Sequence, residues 1–442
     1  MCRGLLPSAL VKCQRLLAAV ALVVLPLEAG AQEAPAVSAQ REQGLLWRNR
    51  PSIRFGPVRI DLRLKLQFDW RAFDPDLDDE DATLFDFRVH RVGVEGEVTN
   101  HLEYEVERDV GESKSEGGKQ WRDVFANWRT FRQAEVRGGR FKIPFGLEQL
   151  TGPTDTDFAY RSLASESIAP ARDEGVMVHG RFLQRGFTYA VGVFDDDGDN
   201  GRLREPQFVA DQGPPPEIGT AFAARVTVTP LRPLGVSALE DLRVGAAYTR
   251  ADVPEGLNSL RGRTILETST FFEPVYVNGP RQRFGLEFDF SSGPFGVRSE
   301  WMQAREAREG QGLMNQDLSD FVSTGWYLTG TWVVTGESKA DGVTPRRPLF
   351  RGGFGAVELG VRYDQLELES ASKEGTPLRN PRADHLLSNR DRVWTTGINW
   401  FPVRWVRITA NAFHETFDDP QRTPIPDIMS YWSGLLRLQI VF

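Results

Sequence analysis

From Val58 to Ala72 the chain alternates without a break. Val58, Ile60, Leu62, Leu64, Leu66, Phe68 and Trp70 fall on one side, and Arg59, Asp61, Arg63, Lys65, Gln67, Asp69 and Arg71 on the other. A period of two is the mark of a strand with one apolar and one wet face. The last residues repeat it, with Trp432, Leu436, Leu438, Ile440 and Phe442 set against Ser433, Leu435, Arg437, Gln439 and Val441. Two such strands at opposite ends of the chain, the second finishing on phenylalanine, predict a closed outer-membrane barrel whose polar face lines a water-filled channel.

Two further strands are equally clean. Val357, Leu359, Val361 and Tyr363 alternate with Glu358, Gly360, Arg362 and Asp364, and Val406, Ile408, Ala410 and Ala412 with Arg407, Thr409 and Asn411. Between Phe85 and Val98 the apolar set changes parity near His90 and Arg91, which predicts a β-bulge.

The connections alternate in length. Long acidic or Pro/Gly-rich stretches lie near 73–82, 111–120, 143–174, 195–218, 251–281, 307–321, 369–388 and 418–426, with short ones between them, and 335–354 is long where a short one is expected. That spacing predicts an all-β, transmembrane antiparallel barrel of about sixteen strands, a size that leaves an aqueous pore. The rival fold is a secreted soluble β-sandwich.

Residues 1–31 carry Arg3, Lys12 and Arg15, an apolar run from Leu16 to Leu27 and Ala29-Gly30-Ala31. This is the layout of a cleavable signal peptide, the apolar run being too short for a helical span. Residues 32–56 read as a polar periplasmic linker without periodicity, and 57–442 as the barrel. Both cysteines, Cys2 and Cys13, precede the cleavage point, which rules out disulfides and cysteine-ligated metal in the exported chain. The formal net charge is −8, and no basic stretch suggests nucleic acid. The 11 tryptophans and 28 phenylalanines suit aromatic girdles at two membrane interfaces.

The segments R-G-G-R-F-K-I-P-F-G-L-E-Q-L-T (137–151), D-F-A-Y-R-S-L-A (157–164) and A-R-D-E-G-V-M-V-H-G (171–180) resemble the phosphate-selective porin O and P family. G-W-Y-L-T-G-T-W-V-V-T-G-E (325–337), G-A-V-E-L-G-V-R-Y-D (355–364) and T-G-I-N-W-F-P-V-R-W-V-R (396–407) extend the likeness in order. The resemblance implies a sixteen-stranded homotrimeric porin in a Gram-negative outer membrane, in contact with its lipid and lipopolysaccharide, and with no cofactor. It also implies a third outer loop folded into the lumen and a preference for inorganic anions such as phosphate or pyrophosphate.

On that resemblance the constricting loop is 144–174. Arg140 and Lys142 stand at its start, with Arg161 and Arg172 within or just after it. Arg59, Arg63, Lys65, Arg71, Arg91, Arg362, Arg407 and Arg437 sit at wet strand positions and are expected to form a basic pore wall, since anion selectivity needs fixed cations in a narrow passage. The loop also carries Glu148, Asp155, Asp157, Glu166, Asp173 and Glu174, which oppose anion preference. A general or cation-preferring pore is therefore the alternative solute reading, and a barrel enzyme such as a phospholipase the alternative class. Asp195, Asp197 and Asp199 suggest a calcium loop but miss the EF-hand pattern, with Asn200 at the glycine position and Pro206 at the glutamate position. The histidines show no metal-ligand spacing, and no nucleophile elbow is present.

Overall fold

The computed structural model describes residues 43–47, 50–74, 85–110, 120–198, 219–235, 239–258, 260, 262–340, 342–425 and 427–442. The expected signal peptide and the first part of the expected linker lie outside them. Two strands, β1 (Gly44–Trp47) and β2 (Pro51–Phe55), precede the barrel. The barrel begins with β3 (Val58–Asp74), β4 (Phe85–Val98), β5 (Leu102–Asp109), β6 (Trp121–Phe131), β7 (Ala134–Lys142), β8 (Arg172–Phe182), β9 (Phe187–Phe194), β10 (Ala221–Val228) and β11 (Arg243–Leu257). After a short pair, β12 (Gly262–Arg263) and β13 (Thr270–Phe272), it is completed by β14 (Tyr276–Ser292), β15 (Phe295–Arg308), β16 (Leu318–Val333), β17 (Ala356–Ser370), β18 (Asn389–Val403), β19 (Val406–Phe417) and β20 (Ser430–Val441).

Sixteen of these strands close a single antiparallel sheet. Closure joins β20 to β3 in the register Arg437 to Asp69 and Gln439 to Gln67, so neither strand is left with a free edge there. Leu64 and Phe442 exchange backbone hydrogen bonds at its inner end, at 2.9 and 3.1 Å.

Burial follows the alternation. Leu62, Trp70, Ile398, Trp432 and Leu436 are exposed on the outer face, whereas Asp61, Lys65, Gln67, Asp69, Arg437 and Gln439 are buried on the inner one. Exposed aromatics gather at both strand ends, with Trp70, Trp121, Trp394 and Trp432 toward the long outer connections and Trp128, Phe131, Phe182, Phe295 and Trp332 toward the short inner ones. These are the girdles of a barrel that meets two membrane interfaces.

Two local expectations shift. The bulge in β4 falls at Phe87 and Arg88, where Gln67 pairs with Val89 but Asp69 with Asp86, slightly ahead of His90 and Arg91. It leaves Phe85 and Phe87 outside and turns Val89 and Arg91 inward. Part of the expected aperiodic linker is strand. Ser52 to Phe55 pair with Asp61 to Val58 of β3, and β1 pairs with β2 in turn. The side chains explain it, since Ser52 donates to Asp61 and Arg50 pairs with Glu95 and Asp61.

Candidate functional site

The connection between β7 and β8 holds two single-turn helices, α1 (Leu147–Leu150) and α2 (Leu163–Ser167). Helices this short leave most terminal amides and carbonyls without partners, and side chains of the barrel wall supply them. The Glu300 carboxylate accepts from the amides of Leu147 and Glu148, and Asp364 Oδ1 accepts from the Leu163 amide at 3.2 Å. At the other end of α1, Lys142 Nζ donates to the carbonyls of Gln149, Leu150 and Thr151. Carboxylates at helix starts and an ammonium at a helix end are the favourable signs for the peptide dipoles.

Three arginines of the wall bind the backbone of the same segment. Arg362 donates to the Tyr160 carbonyl at 3.0 Å, Arg407 to that of Thr156 at 2.8 Å and Arg437 to that of Ala159. Gln67, Gln439 and Asn399 donate to the carbonyls of Pro153, Thr154 and Asp157. Wall glycines provide the space. A Cβ on Gly360 or on Gly397, which pair across β17 and β18, would lie 3.0 Å from the Phe158 ring, and one on Gly325 would lie 2.8 Å from the Ala164 methyl. Phe145, Leu163, Ala164 and Ile168 then join a buried apolar cluster with Phe271, Phe272 and Leu266 from the connection after β11 and with Phe321, Val393 and Phe413 from the wall.

Asp157 ties the segment to the inner connection 334–355, which is long as its sequence indicated. Lys339 Nζ lies 2.7 Å from Asp157 and also bonds Glu358 of β17. Burial would push the Asp157 carboxyl up, but the Lys339 ammonium and the Arg298 guanidinium outweigh it and hold the group down to about 2.

On the opposite side of the segment an open cavity of about 650 Å³ runs along β3 and β5 to β10. Seven cations line it, Arg63, Lys65, Arg137, Lys142, Arg172, Arg181 and Arg225, against the five carboxylates Glu103, Glu105, Asp123, Glu135 and Asp155. Most cations are committed. Arg63 pairs with Glu105 and Glu95, Lys65 with Glu107, Arg172 with Asp123 at 2.7 Å, Arg225 with Glu287 at 2.5 Å and Arg181 with Glu135 at 3.9 Å. Glu105, Glu107 and Asp123 bring carboxylate oxygens within 4.8 Å of one another, yet each of the three faces its own cation.

Arg137 differs. Its guanidinium carbon stands 4.2 Å from the Phe125 ring centroid and 5.6 Å from that of Phe141, and it has no ion pair within 4.0 Å among the described residues.

The expected residues thus separate. Lys142 and Arg172 line the cavity, but Arg140 and Arg161 do not. Arg140 is buried with its Nε on the Trp121 carbonyl, and Arg161 donates to the carbonyls of Glu148 and Thr151. In the expected basic wall, Arg63 and Lys65 reach the cavity, Arg59 pairs with Asp61 and Glu97, Arg71 with Asp86 and Arg91 with Asp109, while Arg362, Arg407 and Arg437 hold the 143–171 segment. A cation paired at contact distance adds little net potential, so the wall is a scaffold more than a row of open charges. Arg137 was not among the expected residues. With Glu135 it reaches the cavity from the odd positions of β7, paired with His179 and Met177, while Lys142 reaches it from an even position at the strand's end. In the loop after β9, Asp197 is buried on Arg281 and Arg283, its carboxyl held low by them against the effect of burial, which leaves no free oxygen for calcium. Asp195 is exposed, and Asp199 lies outside the described residues.

A closed sixteen-stranded barrel with an apolar outer face, two aromatic girdles and a charged interior defines a porin of the Gram-negative outer membrane. This chain belongs to the phosphate-selective porin O and P family, whose sequence pattern matches residues 58–442. An uncharacterised protein of Caulobacter vibrioides is 25% identical over 405 residues, which cover 87% of this chain and 74% of that protein. Among solved structures, the anion-selective porin of Comamonas acidovorans superposes with a TM-score of 0.51 at 11% identity, covering 87% of this chain and 100% of that one. The outer membrane channel DcaP of Acinetobacter baumannii gives 0.52 at 11% identity, with 88% and 99% covered. Identities this low speak for the fold alone. Family and fold are those of a channel, in contrast to the phospholipase alternative.

Proposed function

We propose that this porin passes small hydrophilic solutes passively with a preference for anions, the 143–171 segment folding into the lumen as the constriction. The observation that carries this reading is the lining of the cavity beside that segment, seven cations against five carboxylates, with Arg137 making no ion pair within 4.0 Å among the described residues. Fixed charge of one sign in a narrow passage raises the local concentration of counter-ions. Phosphate, the family-implied solute, receives less support in this chain. A dianion calls for several converging charge-assisted donors, and the neighbours of Arg137 are committed to carboxylates or to backbone carbonyls. We therefore place phosphate among the permeant anions and not as the selected one. Removal of residues 1–31 on export and assembly as a homotrimer complete the proposal.

Planar-bilayer recording in a potassium chloride gradient tests it. The reversal potential is expected to report chloride over potassium, and Arg137→Glu combined with Lys142→Glu to move it toward potassium. A wild-type pore that already prefers potassium would overturn the anion preference.

A further inference from the structure

We propose that the channel contains a recognition site, centred on Arg137, for small monoanionic carboxylates that carry a flat apolar group. The inference rests on the porin reading above and names a solute class for it. Arg137 projects from β7 into the cavity with its guanidinium held over the Phe125 ring at 4.2 Å. Its Nε is shielded from water and has no hydrogen-bond partner among the described residues.

A guanidinium stacked on a ring is fixed in orientation, so its planar fork is organised in advance for two oxygens of one ligand. Carboxylate and phosphate both fit such a fork, and the surroundings decide between them. The cost of taking a solute out of water rises with the square of its charge, whereas its attraction to the site rises only in proportion. Glu103, Glu105, Asp123 and Glu135 offset that attraction in the same cavity, so one charge suits the site better than two. Phe125, Met177 and Ala190 add apolar surface to the same cavity. A phosphate leaves that surface wet, whereas the ring of an aromatic acid covers it.

The test is block of the potassium chloride current by sodium benzoate, sodium acetate and sodium phosphate, with heat-modifiable migration confirming that each variant forms a folded barrel. Benzoate is expected to half-block at a concentration about tenfold below phosphate and acetate, a difference equivalent to about 1.4 kcal/mol. Arg137→Gln and Arg137→Lys should both weaken benzoate block, the lysine because it keeps the charge but loses the fork. Phe125→Leu should weaken block by both acids, and benzoate block the more, because it removes the ring that orients the guanidinium together with apolar surface that the solute's ring covers. Equal potency of benzoate and phosphate, or benzoate block that survives Arg137→Gln, would overturn the proposal. A folded protein without conductance removes the porin reading and this inference together. A potassium-preferring pore still blocked by benzoate through Arg137 removes only the anion preference and supports the carboxylate site.

Discussion

Arg437 and Asp69 face each other across the seam that closes the barrel, joined by two hydrogen bonds of 2.6 Å from the guanidinium Nε and Nη2. The remaining nitrogen, Nη1, donates to the Ala159 carbonyl of the segment inside the wall. One side chain thus ties the seam to the 143–171 segment, and both members of the pair are buried.

Arg437→Met should be strongly destabilising, by about 3 to 5 kcal/mol, because it leaves the Asp69 carboxylate buried and unpaired. Urea titration of the barrel folded into vesicles measures it. The double variant Arg437→Met with Asp69→Leu should recover much of the loss, and single-channel conductance should rise in both as Ala159 is released.

Gly397→Val should widen the pore. A Cβ there would stand 2.5 Å from Asn411 Nδ2 and 3.0 Å from the Phe158 ring, so valine displaces both the ring and the Asn411 side chain, whose Oδ1 accepts from the Ala159 amide of the same segment. The expected result is a larger and noisier single-channel conductance with the barrel itself retained. Phe158→Ala should give the same electrical result from the other partner, losing about 3 to 5 kcal/mol of loop anchoring. Unchanged conductance in both would show that this contact does not set the pore width.

Ile398→Arg should impair assembly, since Ile398 faces outward with half its surface exposed and a charge near the membrane midplane costs about 2 to 4 kcal/mol. Glu105→Gln, on the cavity side, should be mild for folding and should shift the reversal potential toward anions. Equal folding yields for the two would contradict the inside-outside assignment.

Acid should release the 143–171 segment from Lys339 in a defined range. The Asp157 carboxyl is held below its ordinary value, to about 2, by Lys339 and Arg298 against the effect of burial. A depressed carboxyl contributes stability that is fully present above the ordinary carboxylate range and is lost as pH falls through the depressed value. Conductance recorded downward from pH 5 is therefore expected to stay level near pH 4 and to change toward pH 2. Lys339→Met should move that change to higher pH, and a transition at the same pH in both proteins would exclude Asp157 as its source.

The legible part of the molecule was whatever alternation alone determines. Leu62 outside and Asp61 inside, closure of β3 on β20 and the order of long and short connections all follow from a period of two. The destination of each inward charge was not legible, because Arg437 on Asp69 depends on strand register, and Arg362 on the Tyr160 carbonyl depends on the path of a loop far away in sequence. Gly360 and Gly397 looked like ordinary strand glycines, and only the Phe158 ring resting on them gives them a role. Pro51 to Phe55 carry too few residues for a period of two to show, and nothing in the spacing of Arg137, Arg140 and Lys142 tells which of them lies against a ring of the neighbouring strand.

The apolar cluster of Phe145, Leu163, Phe271 and Phe413 lies within a barrel whose outer face meets lipid, so the two apolar faces answer to different solvents. Outward leucines stay in hydrocarbon whether or not the constriction is in place. The interior cluster is shielded from water, and its cohesion carries the heat-capacity signature of water exclusion, weakening as temperature falls. On the proposed reading of the 143–171 segment as the constriction, cooling is therefore expected to loosen it while leaving the wall intact, so that single-channel conductance falls less on cooling than electrolyte mobility does.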